Sequence, residues 1–254
     1  RTVAKYLDTD HTEVKLTPAE GIAHINDVVH SLESYDTTTV RASTPMWLLC
    51  KYIKQNTPCR YIFSGEGSDE ILGGYLYFRN APNVDEFACE NMRRLRLIHQ
   101  FDGLRADRCA GAHGLDLIVP FLDKNFMDFC MVINQNEKMT GMEKRILREA
   151  FEGYLPHEIL WRQKDGMSDA VGTNWVDEVK MYAEKDVDDV VFRETRVKSR
   201  GHNTPLTKEE ALYRNIFWKM YGKENDHLIS EIWRPKWTSI TDPSARLLIE
   251  KNPK

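Results

Sequence analysis

Long apolar runs are missing from this sequence. The purest of them, Met46–Cys50, is only a few residues, far short of the roughly 18 that a membrane-spanning helix needs. Cysteine is scarce and odd in number. The five (Cys50, Cys59, Cys89, Cys109 and Cys130) are scattered with no Cys-x-x-Cys pair, so a disulfide framework is excluded and buried thiols in a reducing compartment are expected. Histidine never occurs at the i, i+4 spacing of zinc sites, and Asn-x-Ser/Thr acceptors are absent. A surplus of positive charge is lacking as well: 35 Lys and Arg against 39 Asp and Glu leave a formal charge of −4, which gives no basic field for nucleic acid. No repeat or low-complexity tract is present. The chain opens at Arg1 with neither an apolar segment nor a small-residue cleavage pattern, so no secretory signal is expected and the opening reads as the middle of something longer.

What is present is an ordinary globular composition, with 254 residues, 41% of them hydrophobic and 29% charged, enough for one large domain or two small ones. A charged, helix-like opening runs into His11–Leu16, whose alternating polarity predicts a strand. Thr17-Pro18-Ala19-Glu20 is a capping-box signature, and Ile22, Ile25, Val28, Val29 and Leu32 then recur at helical spacing, so one helix face is expected to be buried. A second helix is predicted from Ser43-Thr44-Pro45 through Lys54, and a short strand over Arg60–Phe63. Further helices are expected over Val84–Arg108, over Glu143–Phe151 and after Thr207, where Thr207–Glu210 repeats the capping box. This is one half of a doubly wound α/β unit followed by a largely helical remainder, with ligands at the carboxyl end of the strand. Strands are few, so the sheet implied by Arg60–Phe63 lacks most of its members in this chain.

The segment after that strand, Ser64-Gly65-Glu66-Gly67-Ser68-Asp69-Glu70, holds the densest chemistry. Two glycines allow close backbone approach, and three carboxylates fall within five residues. Such acids repel one another and call for magnesium, lysine or arginine nearby, unless all three face water. The plain alternative is a polar turn whose Asp69 and Glu70 complement a helix dipole. The same acids argue against a phosphate resting directly on this loop.

Three other segments are noted. Thr37-Thr38-Thr39-Val40-Arg41 offers hydroxyls beside a guanidinium, suited to a carboxylate or polyphosphate; on composition alone it reads as a β-like stretch with a surface arginine. Lys164, within Trp161–Asp169, is placed either to stabilise negative charge in a transition state or to pair with Asp165 at the surface. Met92–Leu97 (MRRLRL) reads as a solvated basic helix face.

The words SGEGSDE, GGYLYF, LRADR, VPFLDK, MEKRILREAFE, WRQK, NTP and ITDPSARLL, in this order, resemble the synthetase domain of glutamine-dependent asparagine synthetases, and the likeness runs nearly end to end. The resemblance implies an α/β fold of the adenine-nucleotide alpha-hydrolase type, the ATP pyrophosphatase class. Its sheet would be doubly wound and truncated here, residues 1–254 being the C-terminal portion of the domain.

It also implies ATP and Mg2+ as cofactors and aspartate and glutamine-derived ammonia as substrates. The intermediate would be β-aspartyl-AMP and the setting a cytosolic homodimer. By resemblance, Ser64 and Gly65 contact ATP, and Glu66 bears on adenylate formation and breakdown. Asp69 binds magnesium, Asp102 stands near the reacting group, and Lys164 steadies adenylation. Thr38 and Arg41 serve substrate and pyrophosphate recognition.

The sequence departs from the family pattern in four places. The Ser-Gly-Gly-x-Asp-Ser pyrophosphate loop and the glutaminase cysteine are absent, so the chain by itself is expected neither to hydrolyse glutamine nor to bind ATP productively. Ile118 stands where arginine is common, and Ala170 where glycine is usual. Two alternatives stay open on sequence: a relative that adenylates another carboxylate, such as a β-lactam synthetase, and a non-catalytic helical interaction module.

Overall fold

The computed structural model describes residues 1–167, 174–240 and 242. Helix α1 (Thr2–Leu7) is followed by irregular chain through Leu16. The strand expected over His11–Leu16 is therefore not formed. Alternating polarity defines a strand only where a neighbour offers a hydrogen-bonding edge, and this segment lies exposed to half-buried, held by an Arg1–Glu13 ion pair at 2.5 Å.

The capping box at Thr17 forms as expected: Thr17 Oγ1 accepts from the Glu20 N–H at 3.2 Å, and Glu20 Oε2 accepts from the Thr17 N–H at 2.8 Å. It starts α2 (Pro18–Ala23). After a break at His24, α3 (Ile25–Leu32) buries Ile25, Val28, Val29 and Leu32.

Helix α4 spans Thr37–Asn56, so it begins one and a half turns before the expected Ser43. Asp36 is the reason. Its Oδ2 accepts from the Thr39 N–H at 2.8 Å and the Thr39 hydroxyl at 2.7 Å, which satisfies orphan donors of the first turn and overrides the β preference of the threonines. Pro45 thus lies inside the helix, where it cannot donate to the Arg41 carbonyl. The indole N–H of Trp175 does so instead, at 3.0 Å.

Asp36 is fully buried, its Oδ1 accepting from the Trp233 N–H at 2.7 Å. Burial raises its carboxyl to about 6 despite these donors. A folded-state value above the unfolded one means that the native chain binds the proton more tightly. The stability of the wild type relative to Asp36→Asn is therefore expected to fall as pH rises from about 4 to about 6 and then to level, by up to about 3 kcal/mol. Urea unfolding across that range checks it, and a flat difference would refute it.

Strand β1 (Tyr61–Phe63) pairs in parallel with β2 (Asp116–Ile118), Ile62 opposite Leu117. These are the two strands of the sheet among the described residues. The architecture is α/β and mostly helical, and a sheet this small does not itself constitute a doubly wound fold. Between the strands lie α5 (Ser68–Leu72), a 3₁₀ turn (Leu76–Asn80), α6 (Val84–Arg96) and α7 (Asp102–Gly111).

The single helix expected over Val84–Arg108 is broken. Phe101 takes φ −126°, ψ −104°, and α7 starts afresh at Asp102. Nor is Met92–Leu97 a solvated face, because Arg94 is buried against Glu90. Helices α8 (Lys124–Val132), α9 (Gln135–Met139), α10 (Arg145–Ala150) and α11 (His157–Leu160) follow, α10 being shorter than the expected Glu143–Phe151.

Among the described residues, α12 (Trp175–Asp186), α13 (Asp189–Lys198) and α14 (Lys208–Tyr221) follow. Thr207 caps α14, but Glu210 turns to the Leu206 N–H at 2.7 Å instead of closing the box. The main core joins α3, α4, α7, α12 and α14 through Val28, Val40, Cys109, Val179 and Tyr213. A second, aromatic core gathers Tyr77, Phe78, Phe87, Phe101 and Trp233.

Candidate active site

The chain leaves β1 with the Ser64 N–H bonded to the Ile118 carbonyl at 2.9 Å, which ties the loop to the carboxyl end of both strands. Gly67 turns it at φ +92°, where a Cβ would lie 2.3 Å from Leu122 Cδ2, so glycine is required on two counts. Gly74 is required for a different reason: a Cβ there would stand 2.1 Å from Asp69 Oδ1. Around this loop lies a cavity of about 620 Å³ lined by Ser64–Glu70, Thr38, Tyr75, Asp102, Arg105, Lys144 and Lys164, among others.

Seven of the eight residues singled out from sequence therefore face one space. Arg41, one turn along α4 from Thr38, does not line it. Its guanidinium is buried and holds Glu209 at 2.6 and 2.5 Å and Asp242 at 3.0 Å. The surface arginine expected on composition is thus a core ion pair, supported by the Tyr213 hydroxyl on Glu209 Oε1 at 2.9 Å. Ile118 keeps its side chain partly exposed outside the cavity and contributes only its carbonyl. Ala170 lies outside the described residues.

The acids are compensated by protein cations. Asp69 meets Lys144 at 2.9 Å through Oδ1 and Lys164 at 3.2 Å through Oδ2. Burial opposes its charge, but the two ammonium groups outweigh burial and hold the carboxyl at about 2. Lys164 pairs with this acid, leaving Asp165 to Arg162. Glu66 and Asp102 share Arg105. The guanidinium holds both Glu66 oxygens at 2.8 Å and Asp102 Oδ1 at 2.5 Å. Burial and the neighbouring Asp102 raise Glu66 against the pull of Arg105, whereas Arg105 and the Tyr75 hydroxyl prevail over burial at Asp102 and lower it. Tyr75 bridges Glu70 and Asp102, the latter at 2.6 Å.

Sequence reasoning missed Arg105, Tyr75, Lys144 and Glu143. Glu143 is buried and fixes the Lys164 segment by accepting its N–H at 3.1 Å and Arg148 Nη2 at 2.9 Å. Lys144 occupies a left-handed conformation, φ +56°, at the start of α10. That is costly for a side chain with a Cβ, and such strain collects at functional positions.

A magnesium ion at Asp69 would have to displace an ammonium group from each oxygen it used. Among the described residues no cluster of three or more His, Cys, Asp or Glu side chains could hold a metal. The side chains as arranged do not fit a magnesium ion held by this chain's own ligands.

Acids balanced by lysines and an arginine thus line a cavity at the carboxyl end of two parallel strands in an α/β protein. The comparisons give the family. The asparagine synthase profile matches residues 1–96 and 82–246, and the chain belongs to the asparagine synthase family. It is 46% identical over 260 residues to a probable glutamine-hydrolysing asparagine synthetase of Dictyostelium discoideum, covering 97% of this chain and 46% of that protein. To the human asparagine synthetase it is 45% identical over 255 residues, covering 98% and 45%. To asparagine synthetase B of Escherichia coli K12 it is 46% identical over 222 residues, covering 86% and 40%. The chain thus spans less than half the length of the curated relatives it matches.

Proposed function

We propose that this chain carries part of the synthetase half of an asparagine synthetase, residues 1–254 being a portion of that domain. In the full-length protein, ATP activates the side-chain carboxylate of aspartate as β-aspartyl-AMP, and ammonia derived from glutamine displaces AMP. One observation carries the reading: Glu66 and Lys164, far apart in the chain, line the same cavity with Asp69 and Asp102.

A carboxylate oxygen of aspartate attacks the α-phosphorus, the bond to pyrophosphate breaks, and negative charge grows on the departing group. Lys164 and Lys144 stand ready to meet that charge, with Asp69 as their resting counter-ion. Ammonia then bonds to the acyl carbon, the attacking nitrogen loses a proton to Glu66, and AMP leaves. Ser64 and Gly65 face the nucleotide from the strand end. The Thr38 hydroxyl, buried on the cavity wall without a hydrogen-bond partner, is placed to meet substrate. Arg41 supports recognition by bracing α4. Magnesium, if bound, would supply positive charge to the triphosphate, and Asp69 as arranged is engaged by Lys144 and Lys164.

The β1–β2 pair is read as part of a doubly wound sheet of the ATP pyrophosphatase class, on the strength of its parallel pairing and the loop at its carboxyl end. A cytosolic setting is supported by the five free cysteines, and a homodimer by the resemblance alone.

The test is pyrophosphate release from ATP by the full-length protein with ammonium as nitrogen donor. Release should require aspartate and match asparagine formed, and Glu66→Gln should slow asparagine formation by roughly 10²-fold or more. Release indifferent to aspartate would overturn the reading.

A further inference from the structure

Arg105 stands one turn after Asp102 on α7 and is 4% exposed; it falls within the LRADR motif, but the sequence assigned it no role. Its two terminal nitrogens span Glu66 Oε1 and Oε2 at 2.8 Å each, and Nη2 also reaches Asp102 Oδ1 at 2.5 Å. Nη1 also lies 3.6 Å from the Met46 sulfur, while the buried Nε has no hydrogen-bond partner. A guanidinium in such a place is stabilised only by the carboxylates it grips. The fork matches a carboxylate plane, so it fixes the rotation of the Glu66 carboxylate as well as its location.

Two acids this close, without a cation between them, would share one proton, and a protonated Glu66 could not accept one from the attacking nitrogen. We propose that Arg105 is a positioning residue for the amide-forming step: it holds the Glu66 carboxyl group oriented beside Asp102 and acts on the reaction through these two side chains. The proposal rests on the asparagine-forming reading above. It adds that the base of that reaction depends on a buried arginine for its orientation.

The test uses the full-length protein in steady-state kinetics with ammonium, aspartate and ATP, once the wild type has shown aspartate-dependent pyrophosphate release. Failure at that first step overturns the reading of the reaction and leaves the geometry of Arg105 aside. Given that activity, Arg105→Gln should lower kcat for asparagine by roughly 100-fold with KM for ATP changed less than about threefold. Arg105→Lys, which keeps the charge and loses the fork, should recover part of the loss.

In the Glu66→Gln background, Arg105→Gln should add little further loss, because its effect passes through the carboxylate that is already gone. The proposal is overturned if the two losses multiply, if KM for ATP rises in proportion to the fall in kcat, or if Arg105→Lys is no better than Arg105→Gln. Thermal melts separate a folding defect, and if Arg105→Gln does not fold, Arg105→Lys carries the same split between kcat and KM.

Discussion

On the proposed function, Lys164→Ala in the full-length protein should slow adenylate formation by roughly 10²- to 10³-fold, the usual effect of removing one preorganised group that faces developing charge. The ammonium is in place before substrate arrives: it lies 3.2 Å from Asp69 Oδ2, 5.6 Å above the Tyr75 ring, and its side chain is 14% exposed. Its surroundings are rich in acid, and Asp69 raises its affinity for the proton against burial, so it is charged at neutral pH. As pyrophosphate departs, the attraction of this ammonium grows while the attraction to the ground-state triphosphate is already present. The loss should therefore fall on kcat more than on KM. Asp69 would keep Lys144 as a partner at 2.9 Å, so the fold should tolerate the change. Rapid-quench measurement of pyrophosphate release, with thermal melts as control, decides it. An undiminished rate would remove Lys164 from the mechanism. Lys164→Arg should lie between the two, since a planar fork cannot take the place of a compact point charge.

The loop that meets Lys164 was legible in the sequence because its signal is local. Glycines and acids packed into Ser64–Glu70 after a short β-rich run announce a strand-end site, and Gly67, at φ +92°, has the backbone demand that such a run implies, whereas a Cβ on Gly65 would meet open space. The partners were not legible, because nothing near Arg105, Tyr75 or Lys144 in sequence says which carboxylates they face. Charge compensation predicted that cations exist there, and only the fold says which. Asp102 gained its role from resemblance alone, and for Lys164 the resemblance chose between the two roles that its own segment left open.

Helix ends failed in a similar way. Apolar spacing continues from Ile98 to Leu104 across Phe101, so periodicity cannot see the break that puts Asp102 at the start of α7. Thr37–Val40 has β preference by composition but is helical, because Asp36 caps it and the main core closes over Val40. Strand β2 is three residues long, too short to show a period. Arg41 looked solvated because Glu209, the acid that allows its burial, lies far along the chain; the partner of Arg94, Glu90, is one turn back on α6, but only the fold shows that this side of the helix is buried.

Glu90→Ala is expected to destabilise the fold by about 3–5 kcal/mol, the effect of removing one member of a buried ionic cluster and stranding the rest. The Glu90 side chain is 0% exposed. It accepts from the Tyr77 hydroxyl at 2.6 Å, Arg93 Nε at 2.8 Å and Arg94 Nε at 2.9 Å, and it meets Lys236 at 3.0 Å. Arg94 is itself buried, with its guanidinium 4.3 Å from the centre of the Trp233 ring. Without Glu90 this charge would have no carboxylate against it and no route to water.

Burial opposes the ionised form of Glu90, yet Arg93, Tyr77, Arg94 and Lys236 together lower its carboxyl to about 2. A folded-state value below the unfolded one contributes stability above about pH 4.5 that is lost as pH falls toward 2. The gap between wild type and Glu90→Gln should therefore be widest near neutrality and narrow with acid. At neutral pH Glu90→Gln should cost about 1–3 kcal/mol, because it keeps the shape and one acceptor while losing the charge.

Urea midpoints at matched m-values measure all three proteins. A Glu90→Ala chain within about 1 kcal/mol of the wild type, well below the buried-pair range, would show that water reaches Arg94. The consequence extends to the cavity. Tyr77 and Trp233 both line it, and both are held by this cluster, Tyr77 through its hydroxyl and Trp233 through the guanidinium above its ring. On the proposed function, loosening Glu90 in the full-length protein should therefore raise KM for ATP and aspartate before the fold is lost, a rise that Glu90→Gln should show in smaller measure.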